Sequence, residues 1–142
     1  MTERTERTAT AGTVLDAFGV PGRVAVVTGG NRGLGRAFAH ALGEAGAAVA
    51  VLARDAAASA GVVRELADKG VRAAAFQADM TDRSAVARAA ERIVAELGTV
   101  DILVNNAGTC IHRPALEVTE DEWRTGIDTN LTGVWHGCPI FG

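Results

Sequence analysis

The chain has 142 residues, of which 48% are hydrophobic, so it is long and apolar enough to form one domain with a buried core. Its formal net charge of −3 argues against a large basic face and therefore against a nucleic-acid-binding function. No apolar run reaches the roughly 20 residues of a membrane-spanning helix, so we expect no membrane partner.

The first residues, MTERTERTATAG, alternate acidic and basic side chains and lack the apolar core of a secretory signal. We predict a flexible leader over residues 1–21, disordered over Met1–Gly12, and a folded domain over residues 22–142. The two cysteines, Cys110 and Cys138, are far apart in sequence, which favours free thiols and a cytoplasmic location. The three histidines share no metal-ligand spacing, so no metal site is predicted.

After the leader, apolar runs typical of buried strands alternate with segments of helical periodicity. This alternation predicts an α/β fold in which a parallel sheet of four strands is doubly wound, with helices on both faces. The predicted strands cover residues 23–29, 47–53, 71–79 and 100–108. Each of the first three helices is expected to end at a glycine, namely Gly46, Gly70 and Gly98.

The sequence also predicts where helices begin and which side of each is buried. The second helix spans Asp55–Lys69, Thr81 is expected to cap the third, and Thr119 the last, whose first turn is acidic. Apolar residues spaced three and four apart predict the buried faces. These are Leu34, Phe38, Ala41, Leu42 and Ala45 in the first helix, Val86, Ala90, Ile93, Val94 and Leu97 in the third, and Ile127, Leu131, Val134, Trp135 and Cys138 in the last.

A glycine-rich turn, TGGNRGLG at Thr28–Gly35, lies directly between the first predicted strand and the first predicted helix. Gly29 permits a tight turn, Gly33 permits close approach of a pyrophosphate to the backbone, and Gly35 permits close packing of helix on strand. The N–H groups at the helix start form a ready anion site. The motif predicts a phosphate-binding turn, and the alternative is a tight structural turn without a ligand.

Four motifs resemble those of the short-chain dehydrogenase/reductase family and occur in the family's order. Thr28–Gly35 resembles its TGxxxGxG cofactor motif, and NNAG at Asn105–Gly108 resembles its second motif. ADMTD at Ala78–Asp82 resembles its adenine-contacting segment, and TNLTG at Thr129–Gly133 resembles the helix segment that holds its active-site asparagine. The resemblance covers about Gly22–Gly137 and implies a Rossmann-type fold that binds a dinucleotide cofactor.

The resemblance also implies roles for individual residues around that cofactor. The Asp79 side chain would bind the adenine amino group, Met80 would contribute its backbone, and Ala107 and Gly108 would line the adenosine ribose. The whole implied cofactor-binding set is Thr28, Gly29, Asn31, Arg32, Gly33, Leu34, Gly35, Arg54, Asp79, Met80, Asn106, Ala107 and Gly108. A helix-capping carboxylate is the alternative role for Asp79.

Three asparagines have implied roles beside the cofactor. Asn105 and Asn106 would brace the sheet, and Asn130 would hold a water in the proton relay, as the one catalytic residue of the family that the chain contains. The alternative for Asn130 is a solvated or helix-bonded amide.

The end of the second strand predicts a preference for NADP(H) over NAD(H). An NAD site of this type carries an acidic residue there, whereas this strand ends in Ala53, followed by Arg54. A guanidinium can clamp a 2′-phosphate through paired hydrogen bonds, and Arg32 of the glycine turn is expected to point to the same region. Asp55 would partly offset Arg54. The alternative is two solvated arginines on a surface loop.

The resemblance assigns proton transfer to a serine, a tyrosine and a lysine in a Y-x-x-x-K arrangement, which this chain lacks. It has no tyrosine, its only lysine is Lys69, and its serines, Ser59 and Ser84, come too early in the motif order. Pro139 also removes a backbone donor inside a helix that should continue. We therefore expect a fragment, truncated after the helix that carries Asn130 and inactive by itself.

Three hypotheses about function follow. The leading one is an oxidoreductase lineage that transfers hydride between NADP(H) and a carbonyl/alcohol substrate, which would be a partner only of a full-length protein. A second is a non-catalytic nucleotide-binding remnant. A third is an interaction module that pairs with a full-length relative, or forms a homo-oligomer, through an exposed last helix.

Overall fold

A computed structural model of the chain describes residues 14–142. The expected disorder over Met1–Gly12 lies outside the described residues. In the remainder of the predicted leader, Val14–Phe18 form a 3-10 helix, and the backbone N–H of Val20 donates to Ala45 O at 2.8 Å. This hydrogen bond joins the segment to the turn before the second strand.

Four strands form one parallel sheet: β1 (Val24–Thr28), β2 (Ala48–Ala53), β3 (Ala73–Gln77) and β4 (Ile102–Val104). Their order in the sheet is β3-β2-β1-β4, so the chain passes from one side of β1 to the other between β3 and β4. The predicted four-stranded parallel sheet is confirmed.

A helix follows each strand: α1 (Gly33–Glu44), α2 (Ala56–Asp68), α3 (Arg83–Leu97) and α4 (Glu120–Ile127). The last of these continues through a π-helical turn (Asp128–Thr132) into α5 (Gly133–Phe141), with Pro139 inside α5. None of the helices within residues 14–142 combines the length and the apolar character that crossing a lipid bilayer requires.

Side-chain caps fix the starts of α2, α3 and α4. Asp55 caps α2, and Thr119 caps α4 as predicted. The predicted cap of α3 is wrong: Asp82, not Thr81, accepts the hydrogen bond from the backbone N–H three residues later, at 3.0 Å. Because α3 begins at Arg83, the N-cap position falls on Asp82. The N–H and the hydroxyl of Thr81 donate to Asp79 Oδ1, at 2.9 and 2.8 Å.

Apolar side chains pack on both faces of the sheet, as a doubly wound parallel sheet requires. On one face, strand residues pack against α3 in a cluster that includes Val26, Leu52, Phe76, Val86 and Ile93. On the other face, strand residues pack against α1 and α2 in a cluster that includes Val27, Ala39, Val49, Val51, Val62 and Leu66. Four of the five predicted α3 residues are buried, and Val94 is half exposed.

The predicted buried face of α1 is mostly wrong, since Leu42 is its one member that packs against a core cluster of the described residues. Leu34 is 72% exposed and Phe38 is 40% exposed, whereas Gly35, Ala39 and Gly43 are buried. The helix lies so close to its neighbours that only small residues fit between them, since a Cβ on Gly43 would lie 2.7 Å from Cγ1 of a nearby valine. Close approach, rather than side-chain size, decides which side of α1 faces the domain.

The predicted buried face of the last helix is also wrong. Leu131 and Trp135 are 63% and 60% exposed, while Gly133, His136 and Gly137 are buried. The two glycines bring α5 close to the loop after β3, where a Cβ on Gly133 would lie 3.0 Å from a side-chain carbon of that loop. The apolar side of this helix therefore faces outward, and it is the surface on which the pairing hypothesis depends.

Candidate cofactor-binding site

A cleft of about 570 Å³ opens where the four strands end at their carboxyl sides. In open parallel sheets, ligands bind at this edge, where the strand order reverses, and here the reversal lies between β1 and β4. All the predicted cofactor-binding residues except Thr28 line this cleft: Gly29, Asn31, Arg32, Gly33, Leu34, Gly35, Arg54, Asp79, Met80, Asn106, Ala107 and Gly108.

The glycine turn forms the floor of the cleft. Gly29 has a φ of +64°, which favours glycine, and a Cβ there would lie 3.1 Å from Ala107 Cα. A Cβ on Gly35 would overlap Gly29 O and Asn106 Nδ2. These two positions therefore need glycine, since larger residues would separate α1 from the turn that leads into it.

The start of α1 differs from the starts of α2 and α3. Asp55 and Asp82 cap those two helices with a carboxylate, whereas the N-cap residue of α1, Arg32, makes no side-chain cap hydrogen bond. The first turns of all three helices carry no acidic residue, so the missing cap alone sets α1 apart. The positive end of its dipole therefore opens into the cleft without a carboxylate of its own, which is the arrangement that binds phosphate.

A buried threonine joins β1 to the segment after β4. Thr28, which is 1% exposed, donates through Oγ1 to Val104 O at 3.2 Å and accepts from the N–H groups of Asn106 and Ala107 at 2.9 and 3.0 Å. Asn106 Nδ2 in turn donates to Thr28 O at 2.9 Å and Gly29 O at 3.3 Å. These bonds take residues 106 and 107 out of the sheet, so β4 ends at Val104 and the prediction of a strand to residue 108 is wrong.

Asp79 lies on the opposite wall of the cleft. Partial burial acts to raise the pKa of its carboxyl, but the hydrogen bonds from Thr81 and the charge of Arg54 outweigh burial and hold that pKa below its usual value. Asp79 is therefore an ionised acceptor at neutral pH, oriented by the loop that carries it.

Both predicted basic residues line the cleft. Arg54 Nη1 lies 3.7 Å from Asp79 Oδ2, and the Arg54 side chain is 70% exposed. Arg32, in the glycine turn, is also exposed. The carboxylate of Asp55 points to the start of α2, where Oδ1 accepts from Ala58 N at 2.9 Å.

The predicted catalytic residue, Asn130, lies beside the cleft and is paired with the backbone of Thr109. Its Oδ1 accepts from Thr109 N and its Nδ2 donates to Thr109 O, both at 2.8 Å. Asn105, predicted to brace the sheet, donates from Nδ2 to Cys138 Sγ at 3.6 Å, and its Oδ1 is buried with no hydrogen-bond partner in the described part of the chain.

The serines and the lysine do not line the cleft. Ser59 is buried in α2 and donates to Asp55 O at 2.7 Å, and Lys69 Nζ pairs with Glu44 Oε1 at 2.7 Å. Ser84 is exposed in the first turn of α3. Across residues 14–142, no three His, Cys, Asp or Glu side chains come together as a metal site.

Six cleft residues fall outside the predicted set: Leu52, Ala53, Asp55, Ala58, Ala78 and Thr129. Most follow or end a strand, or begin the next helix. In a parallel sheet all such positions meet at one edge. Their position at the carboxyl ends of the predicted strands is therefore the sequence feature from which they could be predicted to line the cleft.

A sequence model of the family described as short chain dehydrogenase matches residues 23–141. The chain belongs to the short-chain dehydrogenase family. Among curated proteins, it is 40% identical over 119 residues to 2-dehydro-3-deoxy-D-gluconate 5-dehydrogenase of Pseudoalteromonas atlantica, covering 83% of this chain and 47% of that protein. It is 41% identical over 113 residues to the 3-oxoacyl-[acyl-carrier-protein] reductase FabG of Staphylococcus aureus, covering 79% and 46%.

Solved structures of short-chain dehydrogenases share this fold. A short-chain type dehydrogenase/reductase from Mycobacterium marinum superposes with a TM-score of 0.87 at 37% identity, covering 90% of this chain and 52% of that one. A 7α-hydroxysteroid dehydrogenase, complexed with NADH and 7-oxo glycochenodeoxycholic acid, superposes with a TM-score of 0.84 at 31% identity, covering 89% and 49%. This short-chain dehydrogenase chain thus spans about half the length of the relatives it matches.

Proposed function

We propose that the cleft binds NADP(H), and that the whole protein is an oxidoreductase that transfers hydride between NADP(H) and a carbonyl/alcohol substrate. The observation that carries the proposal is the uncapped start of α1 above the glycine turn. Its free N–H groups and the backbone around Gly33 and Gly35 offer a cradle for the pyrophosphate.

The adenosine half of the cofactor would lie between the loops after β3 and β4. Asp79, ionised and part of the cleft wall, would accept a hydrogen bond from the adenine amino group. Ala107 and Gly108 would line the ribose, because their small side chains leave the backbone open to the cleft. Family membership supports a dinucleotide cofactor for this chain, as does the relative with bound NADH.

The 2′-phosphate of NADP(H) would be bound by Arg54 and Arg32. Ala53 ends β2 where an NAD site carries an acid, so no carboxylate opposes a phosphate at that position. The Arg54–Asp79 contact is long and exposed, so the guanidinium can turn to a phosphate at little cost. A charge-assisted hydrogen bond contributes about 1.5–3 kcal/mol, which corresponds to a preference of about tenfold or more.

Bound NADP(H) would supply or accept the hydride. The residues of this chain would bind and orient the cofactor. Asn130, at the edge of the cleft, is the residue proposed to hold a water for proton transfer. Ser59, Ser84 and Lys69 are given no part in the proposed proton relay, since none of the three lines the cleft.

The test is calorimetric titration of the chain with NADPH and with NADH. We expect NADPH to bind about tenfold or more tightly than NADH, and Arg54→Ala to remove most of that difference by weakening NADPH alone. Arg64→Ala is the matched control, because it removes the same charge from an exposed position of α2 outside the cleft.

The role of Arg54 would be contradicted if Arg54→Ala weakened the affinity for NADPH and for NADH equally. It would also be contradicted if Arg64→Ala weakened the affinity for NADPH as much as Arg54→Ala does. Absence of heat with either cofactor in the unmodified chain would contradict the binding proposal itself.

A further inference from the structure

His136 is buried, 7% exposed, on the inner side of α5. Its Nδ1 lies 2.8 Å from Met80 O. A carbonyl oxygen only accepts hydrogen bonds, so Nδ1 must carry a hydrogen and donate it. His136 therefore hydrogen-bonds to the backbone of the loop that follows β3, although it lies 56 residues after Met80 in the sequence.

Two glycines allow the imidazole to reach that loop. A Cβ on Gly133 would lie 3.0 Å from Met80 Cβ, and a Cβ on Gly137 would lie 3.5 Å from Met80 Cε and 2.9 Å from Asn105 Oδ1. Larger residues at these positions would push α5 outward and lengthen the bond from His136. The helix is thus seated against Met80 by its smallest residues.

The carbonyl that His136 binds belongs to the same peptide unit as the N–H of Thr81. That N–H donates to Asp79 Oδ1 at 2.9 Å. Because a peptide unit is planar, the orientation of Met80 O fixes the direction of the Thr81 N–H. His136 therefore acts on the Asp79 carboxylate through one rigid group, although the two side chains do not touch.

We propose that His136 is a positioning residue of the cleft, which orients the Asp79 carboxylate for the adenine end of the dinucleotide by holding the Met80–Thr81 peptide. The inference rests on the proposed function, since it assumes that Asp79 faces a bound adenine. It assigns a binding role to a side chain that does not itself line the cleft.

The test compares His136→Leu and His136→Asn with the unmodified chain, by their affinity for NADPH and by their free energy of unfolding. His136→Leu removes the donor, and we expect NADPH to bind about three- to tenfold more weakly. His136→Asn places an amide N–H near the position of Nδ1 and is expected to restore affinity. Should His136→Leu fail to fold, His136→Gln replaces it, because its amide lies nearer the position of Nε2.

The decisive arm is a double-mutant cycle with Asp79→Ala, which removes the acceptor of the Thr81 N–H altogether. If His136 acts through Asp79, His136→Leu in the Asp79→Ala background should weaken binding no further. Additive losses, or a loss that His136→Asn does not restore, would overturn the inference and leave His136 a residue of structural importance only. The inference is also overturned if the unmodified chain and the His136→Leu variant bind NADPH with equal affinity. If the unmodified chain binds no NADPH, the proposed function is overturned together with the inference.

Discussion

Gly35→Val is expected to abolish NADPH binding and to lower the free energy of unfolding by about 3 kcal/mol, the upper end for an overpacked site. A Cβ at this position would overlap Gly29 O and Asn106 Nδ2. Gly29 O belongs to the backbone and cannot move aside without opening the turn. The start of α1 would then move away from the floor of the cleft, so stability and binding should fall together.

Gly61→Ala is the matched control for that variant. Gly61 lies inside α2, where an added Cβ meets nothing nearer than Arg64 Nη2 at 4.0 Å. Alanine there should raise the free energy of unfolding by about 0.5–1 kcal/mol through helix propensity and leave NADPH binding unchanged. Denaturant unfolding and calorimetry measure both quantities. A Gly35→Val chain that unfolds and binds like the unmodified chain would show that the close approach of α1 is unimportant.

Thr28→Val should have the second large effect. Valine matches the shape of threonine but leaves the N–H group of Ala107 without its acceptor, at a site that is 1% exposed, whereas the Asn106 N–H keeps a second acceptor in Val104 O at 3.0 Å. A buried donor left unpaired costs about 1–3 kcal/mol, so we expect a loss of that size in the free energy of unfolding. NADPH binding should also weaken, because the segment that would line the ribose loses two of the hydrogen bonds that attach it to β1 and keeps only those of the Asn106 side chain.

Thr28→Ser separates the hydroxyl from the methyl group. Serine keeps the acceptor for both N–H groups and removes one methyl carbon, so the loss should be closer to the ~1 kcal/mol of a deleted core methyl group. Denaturant midpoints of the two variants provide the comparison. Equal destabilisation by serine and by valine would contradict the role given to the hydroxyl.

The sheet could be predicted from the sequence because its signals are local. Apolar β-branched runs and the glycines that end helices gave the parallel sheet, and the structure confirms it. The position of the glycine turn followed in the same way, since a turn between a strand and a helix is placed by its two neighbours. These features depend on residues close together in sequence.

The buried face of α3 could be predicted from spacing, but those of α1 and of the last helix could not, because they depend on distances between elements. Spacing identified Leu34 and Phe38 as one side of α1, but spacing does not report how near the sheet lies, and Gly35 and Gly43 proved to be on the contact side. The same holds for Trp135, whose spacing predicts burial, whereas Gly133 and Gly137 of α5 are buried and Trp135 is 60% exposed.

Hydrogen bonds between residues distant in sequence could not be predicted either. The sequence places Thr28 in a glycine motif, whereas its contacts with residues 104, 106 and 107 depend on β1 and β4 being adjacent in the sheet. His136 had no predicted role, and it acquires one because α5 crosses the loop after β3. Such residues are found from hydrogen bonds, not from periodicity.

Amide NMR tests most directly whether the glycine turn and the start of α1 cradle the phosphates of a dinucleotide. In a ¹⁵N-labelled chain titrated with NADPH, we expect the largest chemical-shift changes at the N–H groups of Gly33, Leu34 and Gly35. The N–H groups of Gly70 and Gly98, before β3 and β4, should hardly change. Shift changes spread evenly over the chain, or centred away from the start of α1, would contradict a phosphate cradle at this turn.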